Sequence, residues 1–254
     1  MPSYNSEKHI FEAIESVINQ DFKDWELLIA DDGSKDSTLE IALDFQKIDE
    51  RIKVFLNKNK KGAAGARNTC LEQATGRYIA FLDSDDIWLS NKLSLQLDFM
   101  MSKSISFSFS YHEVISEFGD RIISYQGPKK VNAFIMKFSN FIPCLTAIYD
   151  TRLLGKVEQP YFEKRNDYAL WLKILNREDV EFAYCLPVVT AKYRANSYGL
   201  SSNKISTLYF FKKCLRDYGN VSPMGAIIFS FFYIFLGVIK SKFTRIYNLI
   251  VRNL

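Results

Sequence analysis

Apolar and polar positions along the chain follow two periods. Ile10, Ala13, Ile14, Val17 and Ile18 recur at helical spacing and predict a helix ending near Gln20 and Asp21, with no strand before it. Trp25 to Ala30 reads as a buried strand that runs into Asp31-Asp32-Gly33-Ser34. Leu39, Ala42, Leu43 and Phe45 mark the apolar side of a second helix within residues 35–47, with Ser37 and Thr38 as capping candidates. Ile52 to Leu56 is the next strand. Helix, strand, helix, strand is the alternation that builds a parallel sheet, so the fold class is α/β.

Residues 57–65 are polar, basic and glycine-containing, hence a loop, and they feed a helix through Leu71 and Ala74 that Gly76 stops. Tyr78 to Leu82 has strand length, and after Trp88 a helix runs to about Met101. Ile105, Phe107, Phe109 and Tyr111 alternate with serines, the period of a half-buried strand, and Ile122 to Tyr125 can pair with it. The second half is less regular. Its pattern predicts a helix over 131–138, a strand over 145–149, a helix over 167–176 and a strand over 182–189 broken by Pro187, then a loop over 193–197. Met224 to Ile239 is nearly all apolar.

At 254 residues, 48% apolar and 24% charged, the composition is that of an ordinary globular protein. Four cysteines, Cys70, Cys144, Cys185 and Cys214, fall in no C-x-x-C or metal-ligand spacing and read as reduced cytosolic thiols. Glu7, Lys8, His9 and Glu12 interrupt any apolar run of the signal-peptide kind near the start. Charge is uneven. From Lys204 onward eight Lys/Arg face one acid, a net +7, so the first 203 residues carry −3 of the total of +4. A basic, aromatic tail on a mildly acidic body points to an anionic surface as the tail's partner and to no nucleic acid.

The strongest candidate chemistry is Asp83-Ser84-Asp85-Asp86 at the end of the Tyr78 to Leu82 strand. In an open α/β sheet that end is where ligands sit. Carboxylates held this close repel one another unless a cation or hydrogen-bond donors compensate them, and a divalent metal is the simplest compensation. The plain alternative is an acidic loop or helix cap before Ile87. Asp31 and Asp32 offer the same choice between a capping turn and a ligand site.

Pro2-Ser3-Tyr4-Asn5, Glu15-Ser16-Val17 to Gln20, Trp25-Glu26-Leu27-Leu28 to Asp31-Asp32-Gly33-Ser34, Gly65-Ala66-Arg67-Asn68, Gly76 to Trp88, and Asn166-Asp167-Tyr168 to Trp171-Leu172 stand in an order that resembles the family 2 glycosyltransferases, over about residues 2 to 203. The resemblance implies a GT-A (Rossmann-like) fold, a mixed sheet flanked by helices. It implies donor contacts at Pro2 and Tyr4, and Asp32 accepting from the uracil N–H of the donor. Asp83-Ser84-Asp85 resembles the family's D-x-D motif, with Asp85 binding Mn²⁺ or Mg²⁺ and Asp83 assisting with ribose and metal. Asp167 stands at the position of the catalytic base. Arg67 and Arg194 are candidate diphosphate contacts, because guanidinium pairs well with phosphate oxygens.

Two departures qualify the resemblance. Asn166 stands where the family usually has Glu before the base. The family also opens with an apolar strand directly before Pro-x-Tyr-Asn, which would be central in the sheet, so the natural reading frame is expected to start upstream by about one strand, on the order of 5–8 residues. An intact mass of the native protein matching translation from Met1 would overturn this.

The expected organisation is a GT-A domain over 1–203 and a helical tail over 204–254. At ~1.5 Å per residue, Met224 to Ile239 gives a helix of roughly 24 Å, short of the ~30 Å hydrocarbon core, so it would lie in a membrane rather than cross it. Phe243, Ile246, Leu249 and Ile250 continue it beside Lys240, Lys242, Arg245 and Arg252, a pattern suited to anionic headgroups. A helix packed on the domain is the plain alternative. The function expected is inverting transfer of a hexose from a UDP-linked donor to a lipid-linked glycan acceptor, in bacterial surface polysaccharide assembly at the inner face of the cytoplasmic membrane. No Q-x-x-R-W motif of processive synthases is present. The rivals are a non-catalytic glycan-assembly protein derived from a transferase, and a sugar-phosphate nucleotidyltransferase, which should carry a glycine-rich phosphate loop where Pro2-Ser3-Tyr4-Asn5 stands.

Overall fold

The computed structural model describes residues 1–195 and 204–252. Two sheets form the body. The first has three parallel strands in the order β1 (Pro2–Ser3), β2 (Leu27–Asp31), β3 (Ile52–Leu56), joined and covered by α1 (Ile10–Ile18), α2 (Thr38–Ile48) and α3 (Ala63–Gln73). Every residue of β2 is buried, which explains its unbroken apolar run. α1 buries Ile10, Ala13, Ile14 and Val17, the face its spacing predicts.

The remaining strands make a mixed sheet: β4 (Tyr78–Ala80), β5 (Ile87–Trp88), β6 (Phe107–Ile115), β7 (Arg121–Tyr125), β8 (Lys130–Val131), β9 (Ile148–Asp150) and β10 (Ala183–Arg194). Their order is β4-β9-β6-β10-β5, with β7 on β6 and β8 on β10. β6 and β10 run parallel; the other pairs are antiparallel. α4 (Lys92–Ser102), α5 (Ala133–Met136), α6 (Thr151–Leu154) and α7 (Asn166–Leu175) pack around it. Trp171 of α7 is fully buried against Phe81 and Phe107, and its indole donates to the Ile142 carbonyl at 3.1 Å.

Several elements differ from the sequence expectation. Pro2–Ser3 pairs with β2 although no strand was expected before α1: the Met1 amino group donates to the Leu28 carbonyl at 2.7 Å, and the Asp32 amide to Ser3 at 2.9 Å. The strand predicted to stop near Val189 instead continues through Pro187 to Arg194, with register shifts between Leu186 and Ala191, because proline lacks the ladder N–H and forces a bulge. Tyr193 and Arg194, expected in a loop, therefore end a strand; the loop expectation at Asn196 and Ser197 lies outside the described residues. Val131 belongs to β8, and the helix predicted over 131–138 shortens to α5, capped by the Asn132 carboxamide accepting from the Ile135 amide at 3.0 Å. Between β2 and β4 lies a cavity of about 550 Å³ lined by Leu28, Cys70, Tyr78, Ala80 and Leu97 among others.

The tail comprises α8 (Lys204–Asp217), α9 (Pro223–Lys242) and α10 (Thr244–Arg252). It packs on the body: Phe211, Cys214, Leu215 and Val251 are fully buried, and Phe211 stacks between Tyr168 and Tyr233. α9 has 20 residues, longer than the apolar run read from the sequence, because Ser222 caps it and Pro223 opens it, and because it extends into Lys240 and Lys242. At ~1.5 Å per residue it is about 30 Å long, enough to cross a bilayer by length and composition. One flank, with Ala226 and Ser230, is buried on the body, while Phe231 and Phe235 on the other are 69% and 62% exposed.

Lys92 gives the fold a pH signature. It is fully buried, its ammonium donates to Gln96 Oε1 at 2.7 Å, and burial pushes it from 10.5 down to about 7. Between those values the unfolded chain binds the proton that the folded one has released, so stability rises with pH from about 7 to about 10. Urea midpoints measured across that range should rise less, or fall more, with pH in Lys92→Met than in the native protein, and the difference between the two is the Lys92 contribution.

Candidate functional site

The carboxyl end of β2 separates two adjacent acids. Asp31 is buried and accepts from the Gly33 amide at 3.0 Å, from the Ser34 amide at 2.8 Å and from the Ser34 hydroxyl at 2.5 Å, with Gly33 at φ +86° closing the turn. Asp32 lies just past the strand and accepts from Asn57 Nδ2 at 2.6 Å and from the Gly62 amide at 2.8 Å. Asp31 thus builds the turn, and Asp32 points toward the loop that leads into α3. Asn5, at φ 46°, ties the segment after β1 to the same turn, its amide donating to Ser34 Oγ at 3.0 Å. Ser6 and Ser84 share a hydroxyl hydrogen bond of 2.7 Å, so this segment also touches the acidic turn. Pro2 is buried in β1, while Tyr4 is 51% exposed, with the Lys61 ammonium 6.0 Å from its ring centre.

The acidic turn after β4 is held by two arginines. Arg67 of α3 is buried and bridges Asp83 Oδ1 at 2.5 Å and Asn166 Oδ1 at 2.7 Å. Burial works against its charge, yet Asp83 and, further off, Asp167 hold its pKa above the usual guanidinium value. Its Nε is buried with no hydrogen-bond partner among the described residues. Arg194 uses all three guanidinium nitrogens internally: on the Asp85 carbonyl at 3.0 Å, the Glu117 carbonyl at 2.8 Å and Glu12 Oε2 at 2.5 Å. Its amide donates to Asp86 at 2.9 Å. Expected against a diphosphate, Arg194 instead braces the turn that presents Asp85. Burial first, and then the charge of Asp83, push Asp85 up to about 6. Asp86 is pushed up in the same sense, by burial and then by Asp85.

The third group comes from α7. Arg165 caps that helix in the left-handed region at φ 62°, placing Asn166 and Asp167 in the first turn. Asn140 Nδ2 donates to Asp167 Oδ2 at 2.8 Å. Gln159 fastens the start of α7 to α3, donating to the Asn166 carbonyl at 2.5 Å and exchanging bonds of 3.0 and 2.8 Å with Asn68. These elements converge: Tyr193 is pushed up to about 12 by burial and then by the charges of Asp86, Asp85, Asp83 and Asp167. Arg67, bonded to both Asp83 and Asn166, joins the acidic turn to the helix of Asp167, and Ser6, bonded to Ser84, joins that turn to the segment whose Asn5 meets Ser34 in the turn after β2.

Asp83 and Asp85 fit a divalent cation. Their oxygens are the hard ligands that Mg²⁺ and Mn²⁺ take, and burial and then the Asp83 charge raise Asp85 even though Arg194 and Arg67 oppose the rise. The described residues contain no group of three His, Cys, Asp or Glu arranged for a metal, so further ligands would come from a bound diphosphate or water. Sequence reasoning missed Asn57, Asn140 and Glu12. Asn57 directly follows β3, at the strand end where ligands gather, and could have been marked from that; the other two become visible only once the fold brings them in.

Three parallel strands, an acidic turn leading into a mixed sheet, and a carboxylate helix facing that turn make this a GT-A fold, and the chain belongs to glycosyl transferase family 2, whose family model matches residues 1–154. It is 40% identical over 243 residues to the UDP-Glc:alpha-D-GlcNAc-diphosphoundecaprenol beta-1,3-glucosyltransferase WfgD of Escherichia coli, covering 96% of this chain and 94% of that protein. To the enzyme of the same description WfaP, also of Escherichia coli, it is 37% identical over 246 residues, 95% of this chain and 94% of that one. Among solved structures it resembles S. aureus TarS 1-349 in complex with UDP-GlcNAc, with a TM-score of 0.69 and 20% identity, covering 95% of this chain and 71% of that one.

The two neighbouring acids should separate by stability. Asp31→Ala removes a buried carboxylate that accepts from the Gly33 and Ser34 amides and should cost about 1–3 kcal/mol in urea unfolding, whereas Asp32→Ala, at the half-buried rim, should cost less.

Proposed function

We propose that this protein is an inverting, divalent-metal-dependent glucosyltransferase that moves glucose from UDP-glucose to a sugar on a polyprenyl-diphosphate acceptor, in bacterial surface polysaccharide assembly. The observation that carries the reading is the buried Arg67, which joins the acidic turn of Asp83 and Asp85 to the helix of Asp167 through its bonds to Asp83 and Asn166. The activity of the two Escherichia coli relatives supports the choice of donor and acceptor.

Asp167 takes the proton of the acceptor hydroxyl as its oxygen attacks the anomeric carbon opposite the departing UDP; the C–O bond to the diphosphate breaks and the configuration inverts. Asn140 holds that carboxylate by one oxygen and leaves the other for the acceptor. Asp32 accepts from the uracil N–H, with Tyr4 beside the base and Pro2 fixing the strand from which Tyr4 projects. Asp85 and Asp83 would hold the metal, which when bound would offset the charge on the leaving diphosphate. Arg67 orients Asp83 and has a buried Nε to offer the donor; Arg194 acts by keeping Asp85 in place.

Transfer from UDP-glucose measured with Mn²⁺ should fall by roughly 10²–10⁴ in Asp167→Asn, and by a comparable factor in Asp85→Ala, the scale of a lost general base or charge stabiliser. Equal rates in Asp85→Ala and native protein would reject the reading. A proton on Asp85 competes with the metal, so Mn²⁺ affinity, followed by titration without turnover, should hold above pH about 6 and weaken by up to about tenfold per unit below it.

The tail serves the same reaction by keeping the protein on the membrane that carries the acceptor. The exposed apolar flank of α9 continues into α10, where Ile246 and Leu249 are exposed on the helix that also carries Arg245 and Arg252. The chain should sediment with vesicles containing anionic lipid. The double variant Phe231→Ser, Phe235→Ser should remain largely in the supernatant, and unchanged sedimentation would reject membrane docking through this face.

A further inference from the structure

Outside the acidic turn, two cations without a carboxylate partner among the described residues meet the inner flank of α9. Arg165, two residues before Asp167, lies with its guanidinium 5.2 Å from the centre of the Tyr233 ring and donates to that phenol, while its Nε is buried without a hydrogen-bond partner. Lys240, two helical turns beyond Tyr233 on α9, holds its ammonium 4.1 Å from the Tyr125 ring centre and 5.7 Å from that of Tyr247. Neither cation makes an ion pair with a carboxylate among the described residues. They also repel: burial and then the Arg165 charge push Lys240 down to about 8.

A fold does not bring two cations together in half-buried surroundings for stability, because desolvation and like charge both oppose it. An anion that binds between them removes both costs. The surroundings say which anion. Lys240 lines a small pocket of about 30 Å³, room for a water or two, whose wall includes Asn140, the residue bonded to Asp167. The pocket is too small for the anion itself, which must sit at its mouth. The helix that turns Tyr233 and Lys240 inward is the one that turns Phe231 and Phe235 outward. A ligand whose chain lies along the outer face of α9 and whose sugar reaches Asp167 has its anionic joint between these two points.

We propose that Arg165 and Lys240, set among Tyr125, Tyr233 and Tyr247, form the site for the diphosphate of the membrane-borne acceptor. This rests on the reading of the chain as a transferase with a polyprenyl-diphosphate acceptor. Guanidinium supplies a paired donor to phosphate oxygens, and the ammonium supplies a point charge. The site recognises the acceptor rather than the donor, because it lies on the tail side of Asp167, away from the acidic turn that Arg67 and Arg194 serve.

The test uses the full chain, in detergent, with two acceptors that share the terminal GlcNAc: one joined to a short alkyl chain through a diphosphate, the other through an ether. The ratio of their kcat/KM values, diphosphate over ether, should fall at least tenfold in Lys240→Gln and in Arg165→Gln, and Lys240→Arg should recover most of it. A merely structural role lowers both values together and leaves the ratio unchanged, which would overturn the proposal. So would an unchanged ratio accompanied by loss of sedimentation with phosphatidylglycerol vesicles, since that assigns the cations to bulk headgroups. Calorimetric titration with the alkyl diphosphate alone needs no turnover: at least tenfold weaker binding in Lys240→Gln supports the site even if transfer from UDP-glucose is absent, in which case only the reading of the function falls. Equal binding in native protein and Lys240→Gln would overturn the site while transfer in the native protein still supported that reading.

Discussion

A single buried side chain decides whether this protein has a site at all. Arg67 reaches from α3 to the acidic turn on one side and to the first turn of α7 on the other, through bonds of 2.5 and 2.7 Å. Burying a guanidinium is costly unless its partners are well placed, and the gain from one surface pair would not offset that cost. Here the partners include a carboxylate and a fixed carboxamide, and Gln159 and Asn68 close the same seam beside it. The arrangement fixes the spacing between Asp83 and Asp167 through the interior, so the two carboxylates keep their relation without a loop having to stay rigid.

Much of this was legible in the sequence where a local pattern and a chemical need coincided. β2, β3, α1 and the acidic turn were readable because burial on both faces, helical spacing and crowded acids each leave a local mark. Asp31 and Asp32 each read as either a capping turn or a ligand site; the structure gives the capping part to Asp31, by the bonds from Gly33 and Ser34. Arg194 was legible as important but not in its role. An arginine near the end of the body suits a phosphate equally well, and only the passage of β10 through Pro187 carries it beneath the turn of Asp85. Asn140 was invisible for the same reason, since its partner is 27 positions away and no periodicity links them. The Asn166 departure also gains a physical account: a neutral carboxamide accepts from Arg67 without adding a further charge beside Asp83 and Asp167.

The tail illustrates how a pattern can be right and its extent wrong. The apolar run was visible, but its helix grows at both ends because Ser222 and Pro223 favour a start and the following lysines tolerate a helical end. Length alone would allow a membrane span. Packing argues otherwise, because Tyr233 stacks on Phe211 and Ser230 and Ala226 are buried on the body, so crossing a bilayer would strip one flank from its partners. On the proposed membrane docking, a helix packed along one side on the body and apolar along the other would lie with its axis in the plane of the interface.

Charge is distributed across the site with the same economy. On the side of the acidic turn the cations are spent internally: Arg67 on Asp83, Arg194 on Glu12 and on carbonyls. Carboxylates are in excess there, and a diphosphate could approach only in company with an added cation. On the tail side the balance is reversed, with Arg165 and Lys240 unpaired by any described carboxylate, and a diphosphate could bind without help. Asp167 stands between the two. On the proposed reaction, a base there would work between a leaving group whose charge needs a metal and an attacking molecule whose charge is met by the protein itself, so the field along the cleft would sort two diphosphates into opposite halves before any sugar is recognised.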